Sequence, residues 1–329
     1  MPLISTKGAA SAQGFGLFAQ IGGDGTVGIF ALGCNDFNSK LTTRNKYTYA
    51  SCTNTACGVG AASIGSKLGS AAGNSTRGIF ALGCTACGAA TTRNKYTYAS
   101  CTSTASGVGA ASAASISGSA TGNSTRGIFH LGRVSGCRSN IRNKYTYASC
   151  TSTASGVAAS SVASVNGSAT GNSTRGIFAL GNAQIGCGAV VNTRNKYTYA
   201  SCTNTACGVG VASAINQLGS ATGNDTRGIF SLSYSACGIT VATRNKYTYA
   251  CCTSTASGVA SASVASQQGS AAGNSTRGIF ALGYDCSTVT TTRNKYTYAS
   301  CTSTASGVAV SSTGSRQGSA ASWANCVNT

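Results

Sequence analysis

Along the chain, apolar and polar residues alternate in short runs that then give way to glycine, serine and threonine. In RNKYTYAS (142–149), Asn143, Tyr145 and Tyr147 fall on one side and Lys144 and Thr146 on the other, a period of two. In RGIFHLG (126–132) apolar residues fall on both sides, as in a strand covered on both faces. GSATGN (118–123) is small enough for a close-packed inner strand, and SGVAASSVAS (155–164) is a weaker fourth segment rich in Val and Ala. The polar NST and CTST stretches between them read as turns. Apolar residues rarely recur at a helical spacing, and good helix formers are scarce. The pattern predicts four short strands, here called a (GSATGN), b (RGIFALG), c (RNKYTYAS) and d (SGVAAS).

This unit repeats. RNKYTYA begins unchanged at Arg44, Arg93, Arg142, Arg194, Arg244 and Arg293, with spacings of 49, 49, 52, 50 and 49 residues. GIFALG, with small variations, keeps the same period at Gly28, Gly78, Gly127, Gly176, Gly228 and Gly278. Four strands per fifty residues is the unit of a β-propeller blade, and a fixed period of that length signals one continuous architecture. The expected fold class is therefore all-β: a single β-propeller domain over 1–329, with about six four-stranded blades. Residues 1–20 and 314–329 are its closure segments. The first blade is expected to take its inner strand from Ser11–Gln20, and a composite seventh blade built from the two termini is the alternative. The six b-strand phenylalanines, Phe30, Phe80, Phe129, Phe178, Phe230 and Phe280, are expected at equivalent buried positions.

Charge adds a functional clue. Against 23 Lys and Arg stand four acids, Asp24, Asp36, Asp225 and Asp285, and no Glu. Seventeen of those cations sit in the repeated motifs, so internal ion pairs cannot neutralise them. Two readings follow: an anionic partner such as an acidic glycan, nucleic acid or acidic protein face, or hydrogen bonds from arginine to backbone carbonyls of neighbouring repeats. Nucleic acid is the weakest of these partners. No 18-residue apolar span predicts a membrane helix, and the opening MPLISTKGAASAQGFG lacks the apolar core of a secretory signal. Synthesis in a cytoplasm is expected.

A glycine-ended strand, a variable loop and a Tyr-containing strand every fifty residues or so resemble kelch or galactose-oxidase-type blades over roughly residues 8–326. No catalytic residue of that group maps onto this chain. The near-identical NSTRGIFALG…TRNKYTYAS units and the opening ISTKGAASAQGFG resemble phage- and prophage-encoded repeat proteins. That resemblance implies a virion-associated component of a tail, neck or fibre; a bacterial lectin or adhesin at the cell surface is the alternative, and a kelch-type oxidase or hydrolase a distant third.

In an up-and-down blade the b–c and d–a connections emerge on one face and the a–b and c–d turns on the other. The b–c loops vary from CNDFNSKL to YDCSTVT, and the d–a segments vary too, whereas NSTRG and CTST hardly change. Varied loops on a rigid frame make a binding surface. Its candidate residues are Asp36, Phe37, Arg133, Arg138, Gln184, Tyr234, Tyr284 and Asp285, facing a host surface glycan or a neighbouring virion protein. The constant face is expected to dock through Arg77, Arg126, Arg175, Arg227 and Arg277, whose equivalent in the first repeat is Val27.

Cysteines follow the same division. CTNTAC, read as a c–d hairpin, suggests disulfides Cys52–Cys57 and Cys202–Cys207. Cys34, Cys87, Cys101, Cys137, Cys150, Cys187, Cys237, Cys252, Cys286, Cys301 and Cys326 are candidates for bonds between blades or to virion partners. Cys84 and Cys87 form the one CxxC, with no second pair to complete a zinc site, so neither metal nor cofactor is expected. General acid–base catalysis has five residues to draw on, His130 and the four aspartates, and Asp36 with Asp285 is the only carboxylate pair that blade closure could bring together. No GxSxG or P-loop occurs. The Asn-x-Thr triplets beginning at Asn74, Asn123, Asn172, Asn224 and Asn274 are read as turn formers. A non-enzymatic binding or structural role is expected.

Overall fold

The computed structural model describes residues 26–183, 189–235 and 239–322. Among these there is no helix, and each repeat folds into a four-stranded antiparallel sheet. The second sheet is typical: Ser70–Gly73, Arg77–Ala81, Arg93–Thr97 and Thr102–Thr104 pair in chain order as strands a, b, c and d. Register is fixed by the motifs: Phe80 faces Asn94 across the b–c ladder, and Gly78 faces Tyr96.

Two expectations change. Strand d is not SGVAAS but the TST or TNT triplet, Thr53–Thr55 in the first sheet. The turn between c and d lies one step earlier, at Tyr-Ala-Ser-Cys (Tyr-Ala-Cys-Cys in the fifth sheet), where Cys52, Cys101, Cys150, Cys202, Cys252 and Cys301 all adopt φ of 53–55°. The inner strand of the first sheet is not Ser11–Gln20, which lies outside the described residues. Ser319–Ser322 takes that place, pairing Gly28 with Ser322 and Ala31 with Ser319. The C-terminal closure segment thus supplies the strand a missing from the first sheet.

The six a strands touch one another in chain order, and Ser319–Ser322 touches Ser70–Gly73, so the contacts run in a closed cycle. A second cycle is made by the backbone. Leu68, Ser117, Asn166, Leu218, Gln268 and Gln317 each donate an N–H to the carbonyl of the preceding member, and Leu68 donates to Gln317, at 2.8–3.0 Å. Side chains fill the space between successive sheets. Phe129 and Tyr145 of the third sheet pack with Ile79 of the second, and the same triad recurs around the molecule. All six phenylalanines are at most 1% exposed, as expected from their recurrence. The glycine of GIF is required by this fit: a Cβ on Gly176 would lie 2.4 Å from Thr121 Cγ2 of the preceding sheet.

Candidate functional site

The repeated motif is spent between sheets. Arg44, Arg93, Arg142, Arg194, Arg244 and Arg293 are 1% exposed although they carry the cation. Each reaches out of its own sheet into the next. Arg142 donates through Nη1 to the carbonyl of Ala159 (3.3 Å) and to Asn204 Oδ1 (2.7 Å), and through Nη2 to Asn195 Oδ1 (3.5 Å). Its guanidinium lies 4.3 Å from the Phe178 ring centroid and 5.7 Å from that of Tyr197. Oriented carbonyls and the negative faces of aromatic rings thus replace water around the charge. Burial pushes this guanidinium down to about 9 and those of the other five to about 10. The sixth link closes the series, since Arg293 Nη2 donates to Asn45 Oδ1 at 3.3 Å and stacks over Phe30. Asn45 and its five equivalents are fully buried and accept the backbone N–H of the preceding d–a segment, as Asn94 accepts Ser63 N. Arg-Asn-Lys-Tyr recurs unchanged because every member except the lysine is a buried inter-sheet fitting.

The constant turns behave similarly. Asn74 Oδ1 accepts from Thr76 N and Oγ1 and from Arg77 N, closing an Asx turn, and its Nδ2 donates to Ser124 O in the next sheet at 3.0 Å. Turn chemistry was the expected role of these asparagines. The half-buried Arg77, Arg126, Arg175, Arg227 and Arg277 donate to the carbonyls of Tyr147, Tyr199, Tyr249, Tyr298 and Tyr49 at 2.9–3.0 Å. The same nitrogen lies 3.5–3.9 Å from the thiol of the c–d turn cysteine there. Where Val27 replaces arginine, Tyr98 loses that cover and is 6% exposed, against 1–2% for its equivalents. There Lys46 Nζ, 3.9 Å away, is the cation that meets Cys101.

No disulfide links the described cysteines. Cys52, Cys57, Cys202 and Cys207 are free thiols, a correction with a simple cause. The residues between them form extended strand d, at ~3.3 Å per residue, so the two thiols sit at opposite ends of a strand, beyond bridging distance. Cys101, Cys150, Cys252 and Cys301 are half-buried and meet cations of the adjacent sheet rather than another thiol. Cys87, Cys137 and Cys286 are exposed and free, and buried Cys34 points its thiol at Gln317 Oε1. Cys187, Cys237, Cys326 and Gln184 lie outside the described residues. Among the described residues no three His, Cys, Asp or Glu side chains cluster as a metal site would need.

The varied segments gather on the opposite face. Asp36 and Phe37 project from the first b–c loop, Phe37 being 90% exposed. Arg133 is exposed, Arg138 is half-buried, and Tyr234 and Tyr284 are partly covered, the latter by the Arg316 guanidinium 5.2 Å above its ring. Cycle closure brings the first and last loops together, and Asp36 Oδ1 accepts the Val289 backbone N–H at 2.9 Å. Asp285 caps its own loop through Thr288 N and both donors of Ser287, which hold its carboxyl below the usual carboxylate range. Both carboxylates of the one conceivable acid pair are therefore engaged by backbone. His130 is buried with Nε2 2.9 Å from Ser139 O, and burial pushes it down to about 3.

Two features escaped the sequence reading. The b–c loops and d–a segments join in small outer sheets, such as Ser115–Ile116 with Arg133–Val134 and Cys137–Arg138. The six residues of the backbone cycle surround a cavity of about 80 Å3 at the mouth of the central axis. Each directly precedes the glycine of the GS pair that opens strand a, and its varied identity beside an unvarying neighbour was the available signal. Compared with known proteins, the chain matches no protein-family model and no curated sequence.

Proposed function

We propose that this chain is a six-bladed β-propeller serving as a non-enzymatic binding scaffold, with its varied face turned to the ligand. The carrying observation is where apolar surface is left uncovered. Among the described residues all eight large exposed hydrophobics, Phe37, Ile64, Ile141, Val211, Ile215, Ile239, Val264 and Val310, lie in b–c or d–a segments. None lies in the NSTRG or YASC turns. Val211 and Val310 follow Gly210 and Ala309, whose N–H groups bond the carbonyls of the turn cysteines Cys252 and Cys52, and the other six belong to the varied loops. Exposed apolar side chains concentrated in this way mark a contact surface. The arginines of the constant motifs, by contrast, already hold carbonyls or side-chain amides, which favours their role as fittings between sheets over docking to an anion. The partner is a host surface glycan, met through aromatic and aliphatic side chains and amides. The likeness of the repeat motifs to virion proteins supports a phage-like particle as the setting.

The test is a pair of variants. Phe37→Ser with Ile239→Ser should abolish retention on a glycan array while leaving the melting temperature unchanged; Ser75→Glu with Ser124→Glu, on the constant face, should retain it. Equal loss in both pairs overturns the reading. Stoichiometric co-sedimentation with purified particles tests the setting.

A further inference from the structure

The six residues at the axial mouth are all left-handed. Leu68, Ser117, Asn166, Leu218, Gln268 and Gln317 have φ of 58–60°. This conformation is costly for a residue with a Cβ and free for glycine. The chain knows that solution: six other left-handed sites per turn of the molecule, Gly58, Gly107, Gly156, Gly208, Gly258 and Gly307, are glycine throughout. At the mouth a side chain is retained six times out of six, with four different identities. A backbone requirement alone would select glycine or asparagine, so the retained feature is the side chain itself.

The chemistry of those side chains is specific. The backbone N–H and C=O groups are used by one another around the cycle, so the side chains supply the polar groups of the cup. They are three amides, one hydroxyl and two leucines, without a charge among them, in a chain of net charge +19. In chain order around the cycle, Leu68 and Leu218 stand opposite each other, as do Asn166 and Gln317. Two of the amides are linked to each other, Gln317 Nε2 donating to Gln268 Oε1 at 3.0 Å, while Gln317 Oε1 faces the Cys34 thiol and Asn166 Nδ2 donates to Gln217 Oε1 at 3.3 Å beside the cycle. Each amide carries both donor and acceptor, and such groups match a vicinal diol, which also needs one of each. The leucines offer apolar contact to the C–H face of a sugar ring. A sulfate, phosphate or carboxylate would find no cation here.

We infer that the axial mouth is a subsite for one neutral sugar residue, entered end-on by the terminus of a glycan chain; this rests on the reading of the varied face as a glycan-binding surface. The cavity of about 80 Å3 admits the edge of a single pyranose, with the rest of the chain lying over the surrounding loops.

The experiment exploits the backbone. Asn166→Gly, Gln268→Gly and Gln317→Gly together remove the three amides at positions where glycine is unstrained, so the triple variant should melt no lower than the parent. Binding is measured by titration calorimetry and on an array, using uncharged glucose-, galactose-, mannose- and N-acetylglucosamine-terminated oligosaccharides beside their sulfated and sialylated counterparts. The parent should bind at least one neutral terminus, unaffected by 0.5 M salt, and the triple variant should lose at least tenfold in affinity. Retained neutral-glycan binding in the triple variant overturns the subsite and leaves the varied face standing. Preference for acidic termini, with affinity falling as salt rises, overturns the subsite as well. Absence of binding to every glycan overturns both.

Discussion

Two rings of arginine come from the same repeat, and beyond their shared use of backbone carbonyls they differ in almost everything. The ring from strand c has six members, is buried, and threads each guanidinium between an aromatic pair and an amide of the next sheet. The ring from strand b has five, is half-buried, and rests one nitrogen on a tyrosine carbonyl. Both are held by carbonyls, amides, hydroxyls or aromatic faces. The comparison teaches that a large cationic surplus is not by itself a ligand signal. Carbonyl dipoles, amides and π faces can stabilise a guanidinium inside a protein, and a repeat multiplies one such solution until it dominates the net charge.

The comparison breaks most visibly if one buried member is removed. Arg142→Leu leaves Asn195, Asn204 and two carbonyls short of a donor inside a packed seam. Hydrogen bonds to charged groups contribute about 1.5–3 kcal/mol each, so a loss of about 3 kcal/mol or more is expected in urea unfolding. A loss below about 1 kcal/mol, the scale of a surface change, would show that the buried ring is ornamental.

His130 sharpens the same contrast, because it pairs with Arg142 across the b–c ladder and faces its charge in a dry site. Burial, aided by that cation, lowers its folded-state pKa from 6.5 to about 3. Between these values the unfolded chain binds a proton that the folded chain refuses. Stability is therefore complete above about pH 6.5 and drains as pH falls toward 3, with a slope of up to about 1.4 kcal/mol per pH unit. Four of the other five sheets carry alanine at this position and the fifth carries serine, so His130→Ala should fold and flatten the acid limb of the stability curve. An unchanged limb would mean that the histidine is charged in the fold.

A smaller effect belongs to the outer ring. Arg126→Gln should cost about 1 kcal/mol, the usual net value of one hydrogen bond. The converse change is more informative: Val27→Arg should supply the sixth staple onto Tyr98 and raise stability by about 1 kcal/mol. Stabilisation absent from Val27→Arg, read by thermal melting, would show that the gap at the first sheet serves something other than packing.

The smallest expected change concerns the inner strands. Thr121 and Thr222 lie 3.2 Å from the hydroxyls of Tyr199 and Tyr298, whereas Ala72, at the equivalent place, leaves the Tyr147 hydroxyl buried without a partner. Ala72→Thr should restore the bond, for a gain of about 0.5 kcal/mol.

Much of this was legible in the chain. The period, the strand order from a to c, the burial of the phenylalanines and the separation of varied from constant connections all follow from residues that repeat while others drift. Strand d was missed because threonine triplets satisfy turn and strand chemistry equally, and only pairing with strand c decides between them. The C-terminal strand in the first sheet was hidden because its partner lies at the other end of the sequence. The axial cycle was invisible for a different reason: its residues share a backbone angle, not an identity.

That borrowed strand has a consequence for how the molecule is made. Ser322 is synthesised long after its partner Gly28, with the other five sheets between them. Until then five sheets can form locally, but the sixth stands without its inner strand and presents an open sheet edge, the kind of surface that pairs with other chains. Closing the gap costs only the slowly growing entropy of a long loop, so the final step is thermodynamically modest yet cannot begin before Ser319–Ser322 has been made. A nascent chain stalled short of Ser319 would be an arc with one sticky margin, and the natural cure for that margin is a second copy's free strand.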